Sequence, residues 1–284
     1  MAPLLRPGDR VGLVACSNPL PPAAAASVQE LVRILREMGL NPVCSPLLYA
    51  GENFFTGARR AAVLENFYRD PEIRAVFDIS GGDLAMDVLG HLDFSVLRET
   101  PKPLFGYSDL TVLLNAIYTE LGRESWLYQV RWLADRCGER QRSDFAAAVF
   151  GEDDRLLRCR WTFLRGAHMA GVLAGGNIRC LLKLAGTGRF PDLRGKLMLL
   201  ESNGGTPALV LSQLQQLRQM GVFEKTAGVL LGTFVAMEDS GARPAAPELL
   251  LEVLGDSQVP AAMTPDVGHR PDSRALVIGR YLEL

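Results

Sequence analysis

The chain has 284 residues, 48% of them hydrophobic and 22% charged, with a formal net charge of −2. That composition is globular, and the length can bury a core without disulfide or metal staples. It excludes a basic nucleic-acid surface, for there is no basic run, zinc-finger spacing or aromatic RNA-binding motif, and no apolar stretch is long enough to span a bilayer.

Residues 1–8 are Pro-bearing and lack the apolar region of a signal peptide. The run 11–16 (VGLVAC) reads as a buried parallel strand. After the Ser17-Asn18-Pro19 turn, Val28, Leu31, Val32, Leu35 and Met38 share one face of an amphipathic helix that Gly39 stops. A short second strand covers 42–44, a polar, Gly-bearing loop 52–57, and a helix about 58–68. A third strand covers 73–79 (IRAVFDI). Ser80-Gly81-Gly82-Asp83 then turns into a helix over 84–92.

Next comes PLFGYSDLT, residues 103–111. It reads as a fourth strand, a tight turn at Ser108 and a helix over 109–121. A serine at such a turn is lifted off the sheet at the positive end of a helix, the setting of a nucleophile elbow. The plainer alternative is that Ser108 or Asp109 caps the helix. Strands alternating with helices predict a parallel α/β sheet, whose ligand crevice lies beyond the carboxyl ends of the strands. Gly81-Gly82 and Ser108 both fall at such ends. The glycine pair reads either as an oxyanion donor or as an ordinary turn.

The segment 139–160 is rich in Arg, Asp and Glu and reads as a linker region with one helix at 144–150. Beyond it, 171–177 (GVLAGGN) reads as a Gly-rich turn, and 178–184 has helical character. The run 196–200 (KLMLL) reads as a strand ending at Glu201. A helix over 207–220 follows, with Pro207 in its first turn. Buried strands are expected at 229–231 and, as the last, at 275–278. The five cysteines (Cys16, Cys44, Cys137, Cys159, Cys180) form no Cys-x-x-Cys pair and read as the reduced thiols of a cytosolic protein. The three histidines, His91, His168 and His269, are far apart, so a metal site has little support.

Glu201 ends an apolar strand, where a carboxylate alone would more often accept backbone N–H groups of the turn after it. His269 alone would more often be an exposed loop histidine. With Ser108 they give the chain order serine, acid, histidine. A serine hydroxyl needs a neighbouring base, and the base needs an acceptor on its other nitrogen.

Gly106-Tyr107-Ser108-Asp109, Gly175-Gly176-Asn177, the strand ending in Glu201 and Asp266-Val267-Gly268-His269 occur in this order. Together with LLRPGDRVGLVA (4–15) and GVLLGT (228–233), they resemble the LD-carboxypeptidase family of serine peptidases, which includes the microcin C immunity peptidases. The resemblance implies an α/β protein. Its N-terminal Rossmann-like parallel sheet domain (1–150) would carry the nucleophile, with a linker over 151–165. A C-terminal, mostly β domain with flanking helices (166–284) would carry the other two residues. It implies a triad of Ser108, Glu201 and His269, and an oxyanion hole from the backbone N–H groups of Gly82 and Asp109. Gly81, Asn177 and Arg270 are the expected substrate contacts, the last two as donors to a free carboxylate. It implies no cofactor, no metal, no nucleic acid and no membrane, but a small peptide substrate and a cytoplasmic homodimer. The expected reaction is release of a C-terminal D-amino acid from murein-type L,D-peptides.

Two stretches depart from the family pattern. Arg-Gly-Gly-Tyr-Gly is here Ser80-Gly81-Gly82-Asp83-Leu84, and Thr-x-His-Gly-Pro is Ser125-Trp126-Leu127-Tyr128-Gln129. The C-terminal 274–284 also lacks the usual prolines. These departures keep two alternatives open: hydrolysis of aminoacyl or peptidyl nucleotides, and a cleft-binding protein without turnover. A conventional α/β-hydrolase is disfavoured because Leu110 stands where Gly-x-Ser-x-Gly needs its last glycine.

Overall fold

The structure, a computed structural model, describes residues 3–51, 56–134 and 138–284. Most of the polar loop expected over 52–57, and Cys137, lie outside the described residues. The strands are β1 (Arg10–Val14), β2 (Asn41–Cys44), β3 (Ile73–Asp78), β4 (Leu104–Gly106), β5 (Ser125–Leu127), β6 (Thr162–Arg165), β7 (Ala170–Asn177), β8 (Lys196–Ser202), β9 (Gly228–Phe234), β10 (Ala261–Met263), β11 (Leu276–Ile278) and β12 (Tyr281–Glu283). The α-helices are α1 (Ala25–Glu37), α2 (Gly57–Arg69), α3 (Ala85–Leu89), α4 (Phe94–Glu99), α5 (Thr111–Leu121), α6 (Gly138–Val149), α7 (Ile178–Leu182), α8 (Pro207–Gln219), α9 (Val235–Ser240) and α10 (Ala246–Leu254).

The strands form two sheets, β11-β5-β4-β3-β1-β2 and β12-β7-β8-β9-β10-β6. The first is parallel from β2 to β5, with β11 antiparallel at its edge. The second has a parallel centre, β7 to β10, with β12 and β6 antiparallel at its two edges. Buried apolar runs explain the parallel strands, since helices cover both faces. A parallel α/β sheet is what the strand and helix alternation predicts, and a Rossmann-like N-terminal domain is what the family resemblance implies.

The structure adds strands β5, β6 and β10, which the sequence reading does not place, β6 lying within the expected linker 151–165, and three further details differ. Residues 171–177 form most of β7 rather than a turn. Side chains cannot fit there: a Cβ on Gly175 would lie 2.2 Å from the Leu199 carbonyl oxygen, and one on Gly176 2.7 Å from Thr111 Oγ1. The glycines let helix α5 of the first half settle directly on a strand of the second. The strand at 275–278 is not the last, because β12 follows it, and the two enter different sheets. Helix α6 begins at Gly138, ahead of the helix expected at 144–150, and buries Phe145 against Phe77 and Tyr128, at ring separations of 5.9 and 5.8 Å.

Candidate active site

The site forms where carboxyl ends of the two sheets meet. Strand β4 ends at Gly106, Tyr107 follows, and the chain turns at Ser108 into a 3-10 turn (Ser108–Leu110) that continues as α5. Gly106 is required by close approach, since a Cβ there would come 2.7 Å from Leu110 Cβ. Ser108 has φ +58°, the one positive φ outside glycine among the described residues. Such backbone costs on the order of 1–2 kcal/mol for an L-residue, and it marks a serine presented on a sharp strand-to-helix turn. The helix-cap alternative does not fit. Tyr107 occupies the cap position and makes no side-chain cap bond.

Asp109 turns its carboxylate away from its own helix. Oδ2 accepts from Ser17 Oγ at 2.7 Å and from the Ala85 N–H at 2.9 Å, while Oδ1 pairs with Lys183 Nζ from just beyond α7. Its backbone N–H lies in the first turn, where no intrahelical acceptor exists. Across from it runs the loop after β3. A Cβ on Gly81 would stand 4.0 Å from Ser108 Cβ, so this loop borders the serine.

A buried network fixes that loop. Asp78 accepts from the N–H groups of Cys16 (2.6 Å) and Ser80 (2.8 Å) and from Ser80 Oγ (2.6 Å). Burial pushes the Asp78 carboxyl up, against the pull of these hydrogen bonds. The Ser80 carbonyl accepts from Gln129 Nε2 at 3.0 Å. The two stretches that depart from the family pattern therefore hold each other. On the outer side, Arg179 pairs with Asp83 and donates to the Gly82 carbonyl at 3.0 Å.

Strand β8 delivers Glu201 to a fully buried position. Its Oε2 lies 2.7 Å from His269 Nδ1. With the proton on Nδ1, the neutral ring presents Nε2 as an acceptor, a tautomer assigned from this partner. His269 Nε2 is buried and has no hydrogen-bond partner. The imidazole meets the Tyr107 ring edge-on, with centroids 5.0 Å apart, which sets it beside the residue preceding Ser108. The loop carrying His269 is tied down: Thr233 N–H donates to the Val267 carbonyl at 2.8 Å, Gly268 N–H to Ser273 Oγ at 3.0 Å, and Arg160 N–H to Asp266 Oδ2 at 2.7 Å.

The structure thus brings Glu201 and His269 into contact, and Gly81 to Ser108. Asn177 is buried and caps α7, accepting from the Cys180 N–H at 3.3 Å. Arg270 is half-exposed and paired with Asp239 at 2.7 Å and Glu238 at 3.4 Å. The sequence reading missed Asp78, Gln129, Arg179 and Lys183. Apart from Ser80 beside Asp78, their partners lie roughly 50 to 100 positions away, where no local pattern reaches. Among the described residues no group of three or more His, Cys, Asp or Glu is arranged to hold a metal, and no helix is long and apolar enough to cross a membrane.

Comparison with known proteins agrees along the chain. Residues 11–128 match the LD-carboxypeptidase N-terminal domain and residues 170–284 the LD-carboxypeptidase C-terminal domain. A putative carboxypeptidase of Streptomyces coelicolor is 31% identical over 290 residues, covering 99% of this chain and 91% of that one. A probable murein peptide carboxypeptidase of Bacillus subtilis is 29% identical over 242 residues, covering 81% and 73%. The microcin C7 self-immunity protein MccF of Escherichia coli is 24% identical over 320 residues, covering 100% and 92%. A structure of MccF in the wild-type apo state superposes with a TM-score of 0.86 at 22% identity, covering 100% of this chain and 95% of that one. With both of its halves matched in order, the chain belongs to the LD-carboxypeptidase family of peptidases.

Proposed function

We propose that the protein is a serine carboxypeptidase that cleaves an L,D-peptide bond and releases the C-terminal D-amino acid from murein-type peptides. Family membership supports the reaction class, and the names of relatives support the substrate class. The observation that carries the mechanism is the 2.7 Å contact of buried Glu201 with His269, whose ring abuts the residue before a strained Ser108.

In this reading Ser108 Oγ attacks the scissile carbonyl while its proton passes to His269 Nε2. Glu201 keeps the Nδ1 proton in place and stabilises the imidazolium. It gains no proton itself. The N–H groups of Gly82 and Asp109 hold the oxyanion, each contributing about 3 kcal/mol to the transition state. The imidazolium then gives its proton to the leaving amine, and water, deprotonated by the same nitrogen, hydrolyses the acyl-enzyme. Gly81 leaves room for the substrate backbone beside the serine. Arg270, adjacent to His269, is the proposed donor to the terminal carboxylate, in exchange for its pairing with Asp239. Asn177, whose Oδ1 accepts from the Cys180 N–H, is the second proposed donor, through its side-chain amide. The reading carries a cytoplasmic homodimer with it.

The test is an assay of a murein-type tetrapeptide ending in D-alanine, its C-terminal amide and its all-L isomer, beside an aminoacyl-sulfamoyl adenosine. D-alanine released from the first, with the amide and the all-L isomer poor, is the expected outcome. A site that pairs a carboxylate rejects analogues lacking it. Turnover of the nucleotide analogue alone would move the assignment to the immunity-peptidase type. No turnover, and no labelling by a serine-directed phosphonate, would leave a binding protein.

A further inference from the structure

We propose that the Tyr107 hydroxyl donates a hydrogen bond to Oε1 of Glu201, making Tyr107 the positioning residue that fixes the acid of the site. This inference rests on the Ser108, Glu201 and His269 reading and adds a fourth member to it. The argument starts from two orphaned atoms. Tyr107 Oη and Glu201 Oε1 are both buried, and neither has a hydrogen-bond partner. Glu201 uses only Oε2, on His269. Tyr107 is 1% exposed, so water does not reach its hydroxyl freely. Its ring is wedged between His269 and Trp132, at centroid separations of 5.0 Å each.

A buried donor and a buried acceptor left unpaired each suffer their full desolvation, and a charged acceptor suffers most. Here one of each flanks the same imidazole. A hydrogen bond between them removes both penalties. The other groups that act on the phenol are Ser273 and Cys159. Ser273 Oγ, which accepts from the Gly268 N–H at 3.0 Å, keeps a second lone pair but is a neutral acceptor, weaker for the same donor than a carboxylate. Burial pushes the Cys159 thiol up to about 12, so it stays neutral. Glu201 is then the charged neighbour of the hydroxyl. In keeping with this, burial first and the Glu201 charge second hold the phenol well above its usual range, so it remains a donor at every working pH.

The hydrogen bond has a chemical consequence. A donor on Oε1 draws charge from the carboxylate and so limits how strongly Glu201 holds a proton on His269. It also locks the carboxylate plane against the ring.

Tyr107→Phe keeps the ring and its packing and removes one oxygen. Expected are a kcat on the tetrapeptide lower by about tenfold, a KM within about twofold, and an acid limb of the kcat/KM–pH profile moved upward by about half a unit. The upward shift is the readout a packing role would not move. A superimposable pH profile, with a melting temperature above that of the wild type, would mean that the hydroxyl was unpaired and would overturn the proposal. If the tetrapeptide is not turned over, the same shift is read on the rate of phosphonate labelling of Ser108. Failure of the substrate reading therefore leaves this test standing. A high-resolution crystal structure of the wild type decides the point without any variant. Oη within about 3 Å of Oε1 supports the bond, and a separation beyond about 4 Å refutes it.

Discussion

At the scale of single residues, the proposed nucleophile holds backbone strain that its own side chain does not relieve. Ser108→Ala keeps the positive φ and loses the hydroxyl. Its kcat should fall by about 10⁴-fold with the fold intact. Ser108→Gly loses the same hydroxyl but accepts φ +58° without penalty. It should be more stable than the alanine variant by about 1 kcal/mol in urea denaturation. Equal midpoints would show that the turn is not strained at this residue, and near-native activity in either variant would remove Ser108 from the mechanism. Gly81 is the complementary case. It has no positive φ, and a Cβ would meet only Ser108 Cβ, at 4.0 Å. Gly81→Ala should therefore change stability by less than about 0.5 kcal/mol. A methyl beside the nucleophile should still lower kcat/KM by about tenfold or more, because small misplacements of the scissile carbonyl are costly. Unchanged kinetics would mean that the substrate does not pass over Gly81.

At the scale of elements, the decisive one is the loop that carries His269 between β10 and β11. Its tie to the preceding segment is the Arg160–Asp266 pair, in which both the Arg160 N–H and its guanidinium donate to the carboxylate. Burial pulls the Asp266 carboxyl up, but the hydrogen bonds and charge of Arg160 outweigh it and leave it below its usual range. A carboxyl lowered in the folded state adds stability above its unfolded value, about 3.9. That contribution fades as the pH falls through the folded value. Wild type and Arg160→Ala should therefore differ in urea midpoint at pH 7, with the gap closing as the pH is lowered from the unfolded value through the folded one. A gap that stays constant with pH would mean that the pair does not hold the loop. Much of this architecture was legible in the sequence. Apolar runs located β4, which leads into the Ser108 turn, and β8, which carries Glu201, because burial on both faces leaves a continuous signature. β7 was misread because Gly-Gly usually breaks a strand, and its reason is the crowding of α5, far away in sequence. For the same reason the mutual hold of Ser80 and Gln129 was invisible, though each had been marked as a departure.

At the scale of the whole molecule, the two halves are laced together rather than hinged by a single segment. The last strands part company, β11 joining β5 in the first sheet and β12 joining β7 in the second. Asn115 of α5 exchanges two hydrogen bonds with Gly175 of β7, at 2.8 and 2.9 Å. Lys183 reaches back to Asp109 beside the proposed nucleophile. The proposed division near residue 150 can be tested on this basis. A fragment 1–150 would carry Ser108, Gly81, Gly82 and Asp109 but neither Glu201 nor His269. It would also leave the β5 edge open, bare the buried Thr111 and Asn115, and strip Asp109 of its cation. An unpaired buried carboxylate alone costs about 3–5 kcal/mol, a large share of a domain's stability. The fragment should be inactive on the tetrapeptide and prone to associate through its open sheet edge. Co-expression with 151–284 should restore both solubility and turnover, since the missing strand, the lysine and the two site residues all return with it. Hydrolysis by 1–150 alone at the full-length rate would refute a site shared between the halves. A soluble, folded and inactive 1–150 would keep the shared site but show that the lacing is dispensable for folding.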